Sequence, residues 1–353
     1  MTDFADSTPA PRWPRRRVLS MGMYGMAAAA LAAVGCKNDG RPGGSGGMDT
    51  IRLALDWTPN TNHTGFFVAE KQGWYREAGI AFDALPYASS SPEVLVGAGR
   101  AEFGISFADS IVFARAAGEP VVSVMSILQH IAAVIAVKAD RNDIKSPKDL
   151  DGKVYAGFGG PAEGPALQTV IKNAGGRGVF DTVSLSTGAY EALYAGKADF
   201  AVPFLTWEGI EADLRKQPLK YFAYTDYGFP DHYDCLMIGN DQWIARHPDL
   251  AKRFVQATVR GFAYAAQHPD EAAKMLMDAN PGAFTLPELP LRSARLLAEK
   301  YYLDEQGKFG TQTLAKWSAY PRFLYQAGIL ADGSGKSLKQ EPDWSTHFTN
   351  ALL

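Results

Sequence analysis

The chain has only two cysteines, Cys36 and Cys235, among 353 residues. Neither a multi-disulfide scaffold nor a cysteine-built zinc site is compatible with that count. Its six histidines never fall into H-E-x-x-H spacing, and no C-x-x-C or EF-hand pattern is present, so no metal is expected. No strand-to-helix G-x-S-x-G nucleophile elbow appears. "GSGKS" at Gly333–Ser337 imitates the end of a phosphate loop, but Leu330 stands where that loop needs its first glycine. Basic residues do not predominate: 35 Lys and Arg against 38 Asp and Glu leave a net charge of −3, which gives nucleic acid no electrostatic footing. After the N-terminal region no run reaches the ~18–20 apolar residues that a membrane span requires. The motifs of catalysis are missing, and no cofactor is expected.

What is present begins with an export signal. Arg15, Arg16 and Arg17 precede a nearly chargeless stretch from Val18 to Gly35, the order of an n-region and an h-region. The stretch closes on Ala33-Val34-Gly35-Cys36, which resembles a bacterial lipobox and implies cleavage before Cys36 and its lipidation. Arg15-Arg16-Arg17-Val18-Leu19 also resembles a twin-arginine signal; a plain membrane-anchor helix is the alternative. Residues 1–35 are thus read as signal and 36–49, rich in glycine, as a flexible tether.

From Ile51 onward, strand-like runs ("IRLAL", "IAFDAL", "FGIS", "VVSVMSIL", "AAVIAV") alternate with helical patterns, which predicts an α/β protein. A weak repeat gives the domain plan: "AGRAEFGIS" at Ala98–Ser106 returns as "AGKADFAVP" at Ala195–Pro203. In each copy a helix closes on glycine and an Ala-acid-Phe triplet opens a strand. Two lobes follow, one from 50–136 and 233–353, the other from 137–232. At this length two lobes bury ample core without a disulfide. "RHPDLAKRF" and "QHPDEAAKM" read as helix starts, so His247 and His268 are boundary residues.

The candidate site gathers where aromatics stand beside polar residues at predicted strand ends. "LDWTPNTNHTG" (Leu55–Gly65) mixes an acid, a tryptophan, asparagines, threonines and a histidine. Tyr87, Asp109 beside Phe107, Phe158, Trp207 with Glu208, Tyr224, Tyr227 and Asp234 beside Tyr233 extend the set. Ligands of open α/β sheets bind beyond the carboxyl ends of the strands. Aromatic faces hold a flat molecule while carboxylates and amides pair with its ring edge. "GFGGPAEGPAL" (Gly157–Leu167) matches a dinucleotide fingerprint poorly. Its Gly159 and Gly160 amides are candidates to donate to a ligand; a tight turn with no ligand role is the other reading.

"LDWTPNTNHTGFFVAEKQGWYREAGI", "SSSPEVLVGAGRAEFGISFADS", "TWEGIEAD" and "YGFPDHYDCLMIGNDQWIARHPDLAKRFVQATVRGF" together resemble the family that includes yeast thiamine-pyrimidine synthase. Its bacterial members are extracytoplasmic binding proteins for thiamine pyrimidine precursors or riboflavin. The resemblance implies a two-lobed periplasmic-binding-protein fold of type II with the ligand in the interlobe cleft. By it, Asp56, Trp57, Asn60 and His63 line the first lobe's side, Trp57 stacks on the ring, and Glu208 meets an aminopyrimidine from the second lobe. It further implies a monomeric lipoprotein partnering a small heteroaromatic ligand and an ABC permease, with riboflavin, an organosulfonate or pyrimidine synthesis as alternatives. The synthase's cysteine-rich run is absent: "HYDCLMIG" holds only Cys235.

Overall fold

The computed structural model describes residues 47–87, 90–186 and 188–353. The signal, the twin-arginine motif, the Cys36 lipidation site and most of the tether lie outside the described residues.

Ten strands build two five-stranded sheets: β1 (Asp49–Ala54), β2 (Ile80–Leu85), β3 (Phe103–Phe107), β4 (Val121–Ser126), β5 (Val134–Lys138), β6 (Val154–Gly157), β7 (Asp181–Ser184), β8 (Phe200–Ala201), β9 (Leu219–Ala223) and β10 (Cys235–Asn240). The apolar runs legible in the sequence supply β1 to β5; β4 among them, and β10 after the second crossing, are buried along their whole length. Strand order is β2-β1-β3-β10-β4 in one sheet and β7-β6-β8-β5-β9 in the other. In each, the first three strands are parallel and the fourth runs antiparallel. That fourth strand arrives by a crossing: β5 leaves the first sheet for the second, and β10 returns.

The sequence repeat falls on equivalent strands, β3 and β8, and its conserved-looking letters have structural work. Gly99 and Gly196 take φ of 67° and 69°, a left-handed conformation that suits glycine. The next residues close the helices with matching 2.8 Å bonds, Arg100 N–H to Leu95 O and Lys197 N–H to Ala192 O. The acids then clamp the neighbouring strand. Glu102 accepts the Arg52 N–H at 2.8 Å, and Asp199 accepts the Val154 N–H at 2.8 Å. Each acid is also paired to an arginine, Arg52 at 2.6 Å and Arg141 at 2.5 Å.

One core cluster lies under the first sheet, where helix Pro248–Gln267 packs on helix Thr64–Lys71 and buries Phe254, Val255 and Phe262. His247 and His268 are the residues preceding the two Pro-initiated helices, as the sequence indicates. A second cluster is shared by both sheets, joining Ile111 and Val112 to Ile135, Tyr155, Phe200, Tyr224 and Trp317. Continuous burial across the two crossings therefore ties the lobes together. At the crossings, Asp231 of 229–234 accepts the Ile131 N–H at 3.2 Å and pairs with His130 at 2.7 Å and Lys316 at 2.8 Å. No described helix is long and apolar enough to cross a membrane.

Candidate functional site

Between the two sheets lies a cavity of ≈ 650 Å³, walled by both lobes. That volume falls within the range of small-molecule sites. Asp56, Trp57 and Asn60 enter it from the loop after β1, and Asp109 from the first turn of the helix after β3. The second lobe contributes Trp207, Glu208 and Tyr224, and the returning crossing contributes Asp234. With Phe107, Phe158 and Tyr233, eleven residues singled out in the sequence thus converge on one space.

The loop after β1 is rigid for local reasons. Asn60 is extended and its Oδ1 accepts the Asn62 N–H at 2.9 Å, starting a 3-10 turn over Thr61–His63. His63 is wholly buried and does not line the cavity. Its Nδ1 accepts the Asn60 N–H at 3.3 Å, which leaves Nε2–H to donate to Asp56 Oδ1 at 2.7 Å. His63 therefore orients a cavity carboxylate and is not itself a wall. Thr61 is fixed from behind by Ser293, with their hydroxyls 2.6 Å apart.

Tyr87 is also outside the cavity. It is 47% exposed and lies against Trp57 with ring centroids 4.9 Å apart, a backing plate for the indole. Tyr227 ends a 3-10 turn away from the cavity, its carbonyl taken by the Asn173 amide at 2.7 Å. The amides of Gly159 and Gly160 are already engaged: Glu163 Oε2 and Oε1 accept them at 3.3 and 2.7 Å. A helix-start carboxylate reaching back has satisfied the donors that a ligand was expected to use. Glu163 itself faces the cavity and also accepts the Tyr155 hydroxyl at 2.9 Å.

Trp207 and Glu208 ride on a π-helical turn, Leu205–Gly209, an unusual geometry often found at functional sites. Glu208 Oε2 accepts the Phe204 N–H at 3.0 Å. Burial pushes the carboxyl pKa of Glu208 up to about 7, and burial likewise raises Asp109 to about 6 and Asp234 to about 7. Asp234 Oδ2 accepts the Ala132 N–H at 2.7 Å from the other crossing. Burial lowers His232 to about 4, so its ring is neutral. The walls hold Asp56, Asp109, Glu163, Glu191, Glu208, Glu211 and Asp234. Arg215 is the one Arg or Lys among the described lining residues, and it is paired to Glu211 at 2.7 Å. Such a lining disfavours an anion and suits a ligand rich in N–H groups.

Tyr155, Glu163, Tyr190, His232 and Tyr320 are lining residues that the sequence did not announce. Only Glu163 left a signal, at a capping distance after Gly160. Among the described residues no cluster of His, Cys, Asp and Glu could hold a metal.

Comparison with protein families matches residues 60–272 to the family described as NMT1/THI5 like. The chain belongs to the NMT1/THI5-like family. Within this resemblance, a formylaminopyrimidine-binding protein of Halalkalibacterium halodurans is 28% identical over 285 residues, covering 76% of this chain and 83% of that protein. A 4-amino-5-hydroxymethyl-2-methylpyrimidine phosphate synthase of Legionella pneumophila is 28% identical over 239 residues, covering 65% and 74%. Among solved structures, the ligand-binding component of an ABC-type import system from Staphylococcus aureus, with zinc bound, superposes with a TM-score of 0.66 at 13% identity. It covers 86% of this chain and 98% of that one. Membership and superposition together fix the architecture as a periplasmic-binding-protein fold.

Proposed function

We propose that this NMT1/THI5-like protein is the extracytoplasmic substrate-binding lipoprotein of an ABC importer, lipidated at Cys36, and that it takes up a thiamine-precursor aminopyrimidine. The acid-lined, aromatic-walled cavity between the lobes carries the reading. An aminopyrimidine offers a flat face to Trp57 and exocyclic N–H groups to Glu208 and Asp234. Asp56, Trp57, Asn60 and Asp109 hold it from one lobe, and Trp207, Glu208 and Tyr224 meet it from the other. Contacts to both lobes favour the closed form, which then docks on the permease. The name of the Halalkalibacterium halodurans relative supports the ligand class.

The excess of carboxylates speaks against an organosulfonate, which needs an arginine fork or a free helix start. The Legionella pneumophila relative's name keeps a synthase reading in play. A phosphorylated product sits poorly among seven carboxylates with one paired guanidinium. Isothermal titration with formylaminopyrimidine, hydroxymethylpyrimidine, thiamine and riboflavin tests the proposal. Binding of a pyrimidine that mass spectrometry recovers unchanged supports it; silence towards all four ligands sinks it. Mass analysis of the membrane-bound form for a diacylated Cys36 tests the anchor.

A further inference from the structure

The end of the cavity nearest the crossings is built differently from the Trp57 wall. Tyr224, His232, Asp234 and Tyr320 line it, and each is more than nine-tenths buried, at 5%, 7%, 7% and 6% exposure. They come from four places in the fold: the turn after β9, two positions of the returning crossing, and helix Leu314–Gln326. Aromatic packing locks them. The His232 ring stacks on Tyr320 at 3.8 Å and 18°, and Phe229 meets Tyr224 and Tyr320 edge-on at 5.4 and 5.8 Å.

Several polar atoms of this floor have no hydrogen-bond partner among the described residues. The His232 Nδ1–H donates to Pro230 O at 3.0 Å, which leaves Nε2 as an acceptor. The Tyr224 and Tyr320 hydroxyls make no hydrogen bond to the described residues. Asp234 Oδ2 accepts the Ala132 N–H at 2.7 Å. The residues that carry these atoms line the cavity, which puts a bound ligand within their reach. Two hydroxyls, one imidazole acceptor and the Asp234 carboxylate, with Asp109 beside it, suit a group that both donates and accepts.

Resting on the aminopyrimidine reading, we propose that this floor is a second subsite, reading a short polar arm of the ligand while the Trp57 wall reads its ring. The arm is a neutral or cationic group such as a hydroxymethyl, aminomethyl or formamide. A bare methyl leaves the floor unsatisfied, and a phosphate ester is repelled by Asp109 and Asp234.

Calorimetry on the purified protein with three matched ligands tests this: 4-amino-5-hydroxymethyl-2-methylpyrimidine, its 5-methyl analogue and its phosphate ester. The hydroxymethyl compound should bind about tenfold or more tighter than the methyl analogue, and the ester should not bind. Tyr320→Phe, which removes one oxygen, should shrink that preference about three- to tenfold and leave the methyl analogue's Kd unchanged, whereas Tyr224→Phe should weaken the hydroxymethyl ligand more than the methyl one. Unaltered circular dichroism and Tm certify the fold of both variants. Equal wild-type affinity for the hydroxymethyl and methyl ligands overturns the subsite alone, as do variants that weaken both equally. Tight binding of the ester overturns the repulsion by Asp109 and Asp234. If no pyrimidine binds, the ring reading fails and the subsite with it.

Discussion

His63 Nε2 lies 2.7 Å from Asp56 Oδ1 in a ring with no solvent exposure, while its other nitrogen receives the Asn60 N–H. One buried imidazole thus sets both the backbone and the carboxylate of the ligand loop. His63→Leu should cost about 2–4 kcal/mol of stability, because it strands the Asn60 donor and a partly buried carboxylate. Ligand affinity should fall with it. Urea denaturation checks the first effect, and a loss below about 0.5 kcal/mol would contradict the role given to His63.

Trp57→Ala should weaken aminopyrimidine binding by about 1–3 kcal/mol if the indole stacks on the ring. Tyr87→Ala should cost less, about 0.5–1 kcal/mol, since Tyr87 only braces the indole at 4.9 Å. Calorimetry of the two variants separates wall from brace. Equal losses would mean that Tyr87 itself touches the ligand.

Glu208 gives a pH prediction. Burial raises its pKa to about 7, so the folded chain holds this proton more tightly than the unfolded chain does. Its contribution therefore favours folding at low pH, is fully present below the unfolded value of about 4.5, and is lost as pH rises through 7. Glu208→Gln should leave stability near pH 4 almost unchanged and raise it at pH 8 by about 1–3 kcal/mol, while weakening ligand binding. Thermal unfolding of the ligand-free protein at both pH values decides. A variant less stable at pH 8 would show that the carboxylate is well solvated.

Asp231 works in the opposite sense. Its hydrogen bonds from His130 and Lys316 outweigh its burial and hold its carboxyl well below the usual range. The stabilisation is present above the unfolded value of about 3.9 and disappears as pH falls below it. Asp231→Asn should cost about 1–2 kcal/mol at pH 7 and progressively less below pH ~4. A deficit independent of pH would assign the effect to packing at the crossing.

Much of the architecture was legible because it is local. Alternating apolar runs marked the strands, and glycine after a helix followed by an acid and a phenylalanine marked two equivalent positions. Asp56, Trp57 and Asn60 were legible as cavity residues because all three follow one strand. Tyr320 was not: within helix Leu314–Gln326 it has the spacing of an ordinary core residue. His232 and Tyr155 likewise acquire their position only when distant segments meet. His63 and Tyr87 were assigned to the right neighbourhood, yet each stands one layer behind the cavity surface. Sequence spacing finds a loop; it does not say which of its side chains face inward.

The exchange of β5 and β10 has a consequence for the order in which the chain can be finished. The second sheet holds all its strands once Ala223 has been made. The first, although begun earlier, still lacks the strand that separates β3 from β4 until Cys235–Asn240 arrives. No cut between β4 and β10 yields a self-sufficient half, so the two lobes are not interchangeable modules. A growing chain has every strand of its later lobe's sheet in hand before it has all those of the sheet with which it started.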